Sequence, residues 1–142
     1  MNGFIILMKK KKTILRNKPF FSHDENLEFL KLKKDCNQFA RFESVVKIMK
    51  RQGATDPKIV KECNNKDYHV ITHNTTDFQR INKKIKIGVV CIGLRNEDDW
   101  IGRMKKLLRK LSKHKDYYYK NILINNDITI YNRLTKEVNK IL

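Results

Sequence analysis

A near-continuous apolar run, IKIGVVCIGL at residues 85–94, constrains the fold of this chain more than any other segment. A strand with one solvated face alternates apolar and polar side chains, and this run shows no such alternation. The pattern favours a strand that is covered on both faces, as in a parallel sheet. YHVIT at 68–72 predicts another strand. We expect the two strands to lie buried side by side.

The segment NEDDWIGRMKKLLRKLSKHK at 96–115 has the clearest helical pattern in the chain. Asn96 can cap its amino terminus, while acids fill the first turn and bases fill the last. Apolar side chains at helical spacing mark one face of this helix. These side chains are Trp100, Ile101, Met104, Leu107, Leu108 and Leu111.

A further helix begins near Pro57, in the segment GATDPKIVKEC at 53–63. Gly53 breaks the chain, Thr55 or Asp56 can cap the helix, and proline suits the first helical position. The side chains expected to form its buried stripe are Ile59, Val60 and Cys63.

Shorter segments complete an alternation of strands and helices. An aromatic run predicts a strand at 19–22, followed by a helix at about 26–40. FESVVKIM at 42–49 is either a strand or a helix, because periodicity does not distinguish them in so short a run. NILINNDITIY at 121–131 predicts two strands around a turn at 125–127. The fold class is therefore expected to be α/β, a sandwich with a mainly parallel sheet.

Composition indicates a basic globular domain. Hydrophobic residues make up 40% of the 142 residues, enough for one domain at 19–142 after a basic extension at 1–18. The net charge of +17 favours a polyanionic partner, nucleic acid before an anionic membrane surface. An AT-rich genome is a partial alternative cause of the many lysines. No stretch approaches the roughly 18 apolar residues of a membrane span, and the first residues do not form a secretory signal.

The three cysteines, Cys36, Cys63 and Cys91, form no CxxC pair. Their odd count and wide spacing argue against a disulfide framework or a zinc site. Reduced thiols of this kind indicate a cytoplasmic location.

Three aspartates occupy positions that a parallel sheet would bring to one edge. Asp24 and Asp77 follow predicted strands, and Asp56 opens a predicted helix. Such sheets place their sites at the carboxyl ends of the strands. Neighbouring carboxylates repel one another unless a cation neutralises them, and oxygen ligands without His or Cys suit Mg²⁺ or Mn²⁺. In so basic a chain, a phosphodiester is the natural substrate of such an ion.

Each of these acids also has a structural explanation. Asp24 and Asp56 could be ordinary helix N-caps, worth about 1 kcal/mol, and Asp77 could bond to the backbone of its own loop. His73 by itself is more often a surface or hydrogen-bonding histidine than a ligand. Glu43 is a further acid, but its segment is ambiguous. The metal hypothesis therefore depends on three acids in matching topological positions.

The order of these motifs resembles the short PIN-like nucleases of bacteria and archaea, many of which are toxins of toxin–antitoxin pairs. The resemblance covers residues 20–134. Its motifs are DENL at 24–27, GATDPKIVKEC at 53–63, VITHNTTDF at 70–78, GVVCIGLRNEDDWIGRMKKLL at 88–108 and ILINNDITIYNR at 122–133. It implies an α/β/α sandwich with a parallel sheet, and metal-dependent cleavage of RNA.

The resemblance also implies a site. Asp24, Asp56 and Asp77 would bind Mg²⁺ or Mn²⁺ and take part in catalysis. Asn74 stands where many relatives have a further aspartate, so it would orient water or coordinate weakly without adding charge. Thr72 would position the loop through its hydroxyl group.

Basic side chains off the apolar face of the 96–115 helix are candidates for phosphate contact. They are Arg103, Lys106, Lys110 and Lys113. For any single lysine, a place on the solvated side of the helix is the more common explanation. The candidate partners are RNA, an antitoxin protein and a second copy of the chain. Association with a membrane is not expected. Two alternatives are a basic nucleic-acid-binding module that cleaves nothing and a degenerate PIN-like domain that binds a protein. Divalent-metal binding would separate the enzyme from both.

Overall fold

A computed structural model describes residues 17–23, 30–44, 56–73 and 84–141 of this protein. Within these residues the helices are α1 (Leu30–Cys36), α2 (Asp56–Lys66), α3 (Glu97–Lys110) and a 3₁₀ helix, His114–Tyr117. The strands are β1 (Phe20–His23), β2 (Arg41–Ser44), β3 (His69–Thr72), β4 (Val89–Ile92), β5 (Lys120–Ile124), β6 (Ile128–Asn132) and β7 (Val138–Ile141).

The strands form one sheet in the order β2-β1-β3-β4-β5-β6-β7. Strands β1 to β5 are parallel, whereas β6 and β7 join antiparallel at one side. Val70 of β3 pairs with Val89 of β4, and Ile71 pairs with Val90. The expected α/β class with a mainly parallel sheet is confirmed, and so is the pairing of the two buried strands.

Helices cover both faces of the sheet. Ile71 and Val90 face a core that contains residues of α1 and α3. Val70 and Val89 face a smaller cluster that contains Cys63 of α2. Because β3 and β4 bury both faces, their sequences lack the apolar–polar alternation of a half-solvated strand.

The apolar run 85–94 is longer than β4, the strand it contains, although Gly88 and Gly93 on either side of β4 still bond to the backbones of β3 and β5. Before β4, side chains bind several of the backbone groups that a longer strand would use for pairing. The carbonyl oxygens of Ile85 and Ile87 accept from the guanidinium of Arg133 at 2.8 and 2.6 Å. The amide of Ile87 donates to Asn64 Oδ1 at 3.3 Å. These contacts explain why the predicted strand was too long.

The first helix ends before residue 40, where the predicted helix ended. It ends at Cys36, whose carbonyl accepts from the amides of Phe39 and Ala40 at 2.9 and 3.1 Å, forming a turn that leads into β2. The ambiguous segment 42–49 begins within β2. Residues 24–29 and 45–55 lie outside the described part of the chain.

Helix α3 confirms the strongest helical prediction, although it ends at Lys110, before the predicted 115. Asn96 caps it by accepting from the Asp99 amide at 3.1 Å. The buried face comprises Trp100, Ile101, Met104, Leu107 and Leu108, and Leu111 is partly buried beside them. Strands β5 and β6 confirm the hairpin around 125–127, while β7 is an additional strand.

The proposed division into an extension at 1–18 and a domain at 19–142 stays a prediction, because residues 1–16 are not described. In the described ranges, none of the helices combines the length and the apolar character needed to cross a membrane.

Candidate functional site

The sheet has a topological switch point between β1 and β3. From β1 the chain crosses to β2 on one side, and then returns past β1 to β3 on the other. Connections that leave in opposite directions open a crevice at the carboxyl ends of the two central strands, and open α/β sheets bind their ligands there. His23, the last residue of β1, pairs with Ile71, so the two strand ends lie nearly level.

One predicted catalytic residue lies at this edge among the described residues. Thr72 is the last residue of β3 and is half-buried. Asp24 follows β1 directly, and Asn74 and Asp77 follow β3 in the sequence, but these three lie outside the described residues. Asp56 is the first residue of α2, and its side chain is also outside the description. Their convergence on one cation stays a prediction.

A depression of about 420 Å³ lies beside the switch point, at the carboxyl ends of β3 and β4. The described residues that line it are His73, Ile92, Gly93, Leu94 and Arg95. His73 Nδ1 lies 3.3 Å from the Ile92 carbonyl oxygen. Its ring meets Trp100 edge-on, with 5.8 Å between ring centroids. His73 is therefore an exposed, hydrogen-bonding histidine, as expected for a histidine that stands alone in the sequence.

Helix α3 carries opposite charges at its two ends. Glu97, Asp98 and Asp99 form its first turn, and the carboxylate of Asp98 pairs with Lys31 of α1.

Among the described residues, no three His, Cys, Asp or Glu side chains form a group that could hold a metal ion. The predicted ligands Asp24 and Asp77 do not belong to that part of the chain, so this finding does not test them.

The four basic residues predicted to contact phosphates differ in their surroundings. The side chains of Lys106, Lys110 and Lys113 are exposed. The guanidinium of Arg103 instead donates to the carbonyl oxygens of Asn126 and Asp99, at 3.1 and 3.2 Å. Arg103 thus fastens α3 to the turn between β5 and β6, and the three lysines remain the more accessible candidates.

The opposite, amino edge of the sheet contains a buried histidine that sequence reasoning missed. His69 is 0% exposed, its Nδ1 accepts from the Gly88 amide at 2.8 Å, and its Nε2 lies 2.7 Å from the His114 carbonyl oxygen. An amide only donates and a carbonyl only accepts, so the ring is neutral with its proton on Nε2. Burial, aided by the neighbouring His114, lowers the pKa of His69 to about 3.

His114 extends this contact to the protein surface. Its Nδ1 accepts from the Phe20 amide at 3.1 Å, and its Nε2 lies 3.4 Å from Asp67 Oδ2. The Tyr118 hydroxyl donates to the same carboxylate, at 3.0 and 2.9 Å from its two oxygens. Burial and this carboxylate raise the pKa of Tyr118 to about 12. The network ties β1, β3 and the 3₁₀ helix together.

A buried arginine completes the amino edge. Arg133 is 5% exposed, and its guanidinium donates to Asn121 Oδ1 at 2.6 Å as well as to the carbonyls of Ile85 and Ile87. Burial lowers its pKa to about 10, so it stays charged near neutral pH. No local pattern marks either His69 or Arg133, because their partners are distant in the sequence. Both have structural roles, which leaves the carboxyl edge as the candidate site.

Comparisons of the chain with models of protein families, with curated proteins and with solved structures gave no match. The resemblance to PIN-like nucleases therefore stays a prediction from the motifs.

Proposed function

We propose that this protein is a Mg²⁺- or Mn²⁺-dependent ribonuclease of the PIN-like type, the toxin of a toxin–antitoxin pair. The observation that supports this most is the switch point between β1 and β3. The sequence places Asp24 directly after β1, and Asn74 and Asp77 shortly after β3. Asp56 is the first residue of α2, and α2 ends just before the amino end of β3. The first turn of α2 is therefore expected on the side of the carboxyl edge.

The donor chemistry of these residues suits a hard divalent cation. Asp24, Asp56 and Asp77 offer carboxylate oxygens, which Mg²⁺ and Mn²⁺ prefer. A bound ion would polarise a phosphoryl oxygen of RNA and activate water. Asn74 would orient that water through its amide oxygen, and the Thr72 hydroxyl would hold the start of the loop.

The net charge of +17 supports RNA as the substrate class, since lysine and arginine bind phosphates and release counterions. Exposed Lys106, Lys110 and Lys113 lie along and just beyond α3. Affinity for single-stranded RNA should fall steeply with salt, with a log–log slope of roughly −0.7 per phosphate contact. If RNA binding does not depend on salt, the lysines do not bind phosphates, and their number reflects the base composition of the genome.

The central test is Asp77→Asn, which keeps the size of the side chain and removes a ligand charge. Wild-type protein should cleave labelled single-stranded RNA with Mg²⁺ or Mn²⁺ and not in EDTA. The variant should lose more than about 100-fold in rate, because even residues that only support metal ligands are worth roughly 10–100-fold. Calorimetry with Mn²⁺ should show weakened binding, and urea unfolding should show an intact fold. Expression should arrest growth only with the wild type.

Asp127→Asn is a matched control at the same edge. Asp127 lies in the turn after β5, away from the switch point, and its carboxylate pairs with Lys140 at 3.7 Å. This variant should cleave like the wild type. Asp56→Asn should keep the helix cap, because Asn caps about as well as Asp, and lose activity. Asn74→Ala should lose less than Asp77→Asn.

Two results would reject the proposal. One is cleavage that persists in EDTA and in the Asp77→Asn protein. The other is wild-type protein that cleaves nothing with either metal. Salt-dependent RNA binding without metal binding or cleavage would instead identify a non-catalytic nucleic-acid-binding module.

A further inference from the structure

The orientation of His73 is determined by two neighbouring elements. Its Nδ1 lies 3.3 Å from the carbonyl oxygen of Ile92, the last residue of β4. A carbonyl oxygen only accepts, so Nδ1 carries the proton. The ring also lies edge-on against Trp100, which is 2% exposed, with an angle of 90° between the ring planes. In the neutral ring, Nε2 on the far side is therefore a hydrogen-bond acceptor.

Nε2 has no hydrogen-bond partner among the described residues, although His73 lines the depression at the carboxyl edge. Gly93 is one of the residues that line this depression, and a Cβ there would collide with the side chain of Asn125.

A cationic side chain lines the same depression. Arg95 is exposed, and its guanidinium makes no ion pair or hydrogen bond with any part of the chain that is described. It follows β4 closely and precedes Asn96, the cap of α3. The depression thus offers an oriented acceptor at His73 and a multi-donor cation at Arg95, beside the switch point.

We infer that this depression binds one ribonucleotide of a single strand, with His73 Nε2 accepting from the ribose 2′-hydroxyl and Arg95 binding the adjacent phosphate. A 2′-hydroxyl is the donor that RNA has and DNA lacks. Arginine matches phosphate through its fork of N–H groups. His73 is then a positioning and specificity residue that selects RNA over DNA. The inference rests on the proposed function only in taking RNA as the ligand.

The test measures binding without cleavage, by fluorescence anisotropy in EDTA. The probes are three single strands of one uracil-containing sequence, as RNA, as DNA and as 2′-fluoro RNA, which keeps the ribose-like pucker but cannot donate at the 2′ position. Wild-type protein should prefer RNA to both others by roughly 3- to 10-fold, the range of one net hydrogen bond.

Two substitutions of His73 separate its two nitrogens. His73→Asn keeps a donor near the Nδ1 position for the Ile92 carbonyl and removes the outer acceptor, so the preference for RNA should disappear. His73→Gln places an amide oxygen near the Nε2 position and should retain part of the preference. Affinity for the DNA strand should stay the same in both variants, which excludes a general effect of misfolding.

Arg95→Gln should weaken binding of all three strands equally and reduce the salt slope by about 0.7. Arg41→Gln is its control, because Arg41 is an exposed arginine at the start of β2, at the opposite edge of the sheet. Unchanged RNA preference in His73→Asn would overturn the inference, as would wild-type protein that binds RNA and 2′-fluoro RNA equally. A protein that shows the preference but cleaves nothing would refute the ribonuclease proposal alone.

Discussion

His69 makes the stability of this fold sensitive to acid. In the unfolded chain its imidazole binds a proton at the ordinary pKa of 6.5, whereas in the folded protein the pKa is about 3. Between these values the unfolded state holds the additional proton, so the free energy of unfolding falls as the pH falls. For this shift, the loss between pH 7 and pH 4.5 is about 2.5 kcal/mol.

His69→Asn removes the titrating group and keeps one of its two hydrogen bonds. The asparagine Oδ1 can still accept from the Gly88 amide, while the donor to the His114 carbonyl is lost. At pH 7 the variant should be less stable by about 1–3 kcal/mol, the cost of an unsatisfied buried polar group. By pH 4.5 this difference should have almost disappeared, because only the wild type loses the contribution of His69.

Urea unfolding across this pH range, followed by the fluorescence of the single tryptophan, Trp100, measures both effects. Ile122→Val is the control, since Ile122 is 0% exposed and its truncation costs about 0.5–1.5 kcal/mol without changing any titrating group. Its unfolding free energy should run parallel to that of the wild type. If His69→Asn also runs parallel from pH 7 to pH 4.5, the reasoning about His69 is wrong.

Three further predictions concern stability and are checked by urea unfolding. Gly88→Ala would place a Cβ against the backbone oxygen of Tyr117 and should cost about 1–3 kcal/mol, whereas Gly102→Ala, with no neighbour within 4 Å, should gain up to about 1 kcal/mol; equal effects would contradict this. Arg133→Met should cost about 3 kcal/mol or more, because the Asn121 amide oxygen, the buried Ile87 carbonyl and the partly buried Ile85 carbonyl lose this donor; a smaller loss would mean that water replaces it. Asn96→Ala should lower the free energy of unfolding by about 1 kcal/mol, and Asn96→Asp should leave it almost unchanged. Equal stability of the two variants would mean that the Asn96 cap does not stabilise the helix.

Several elements follow from local sequence alone. Helix α3 shows a cap, graded charges and a periodic apolar face, all of which act between residues within a few turns. The turn at 125–127 likewise joins two strands that are adjacent in the chain. For the candidate site, the sequence by itself supplied the acids and their positions after strands.

Only the tertiary structure shows which strands are neighbours and which distant side chains bind their backbone. That β3 lies beside β1, creating the switch point, depends on pairings such as His23 with Ile71, which no local pattern specifies. Arg133, which follows β6, reaches past β5 to the carbonyl oxygens of Ile85 and Ile87 just before β4. Such contacts join residues far apart in the chain, so their energies appear only when the whole sheet has assembled.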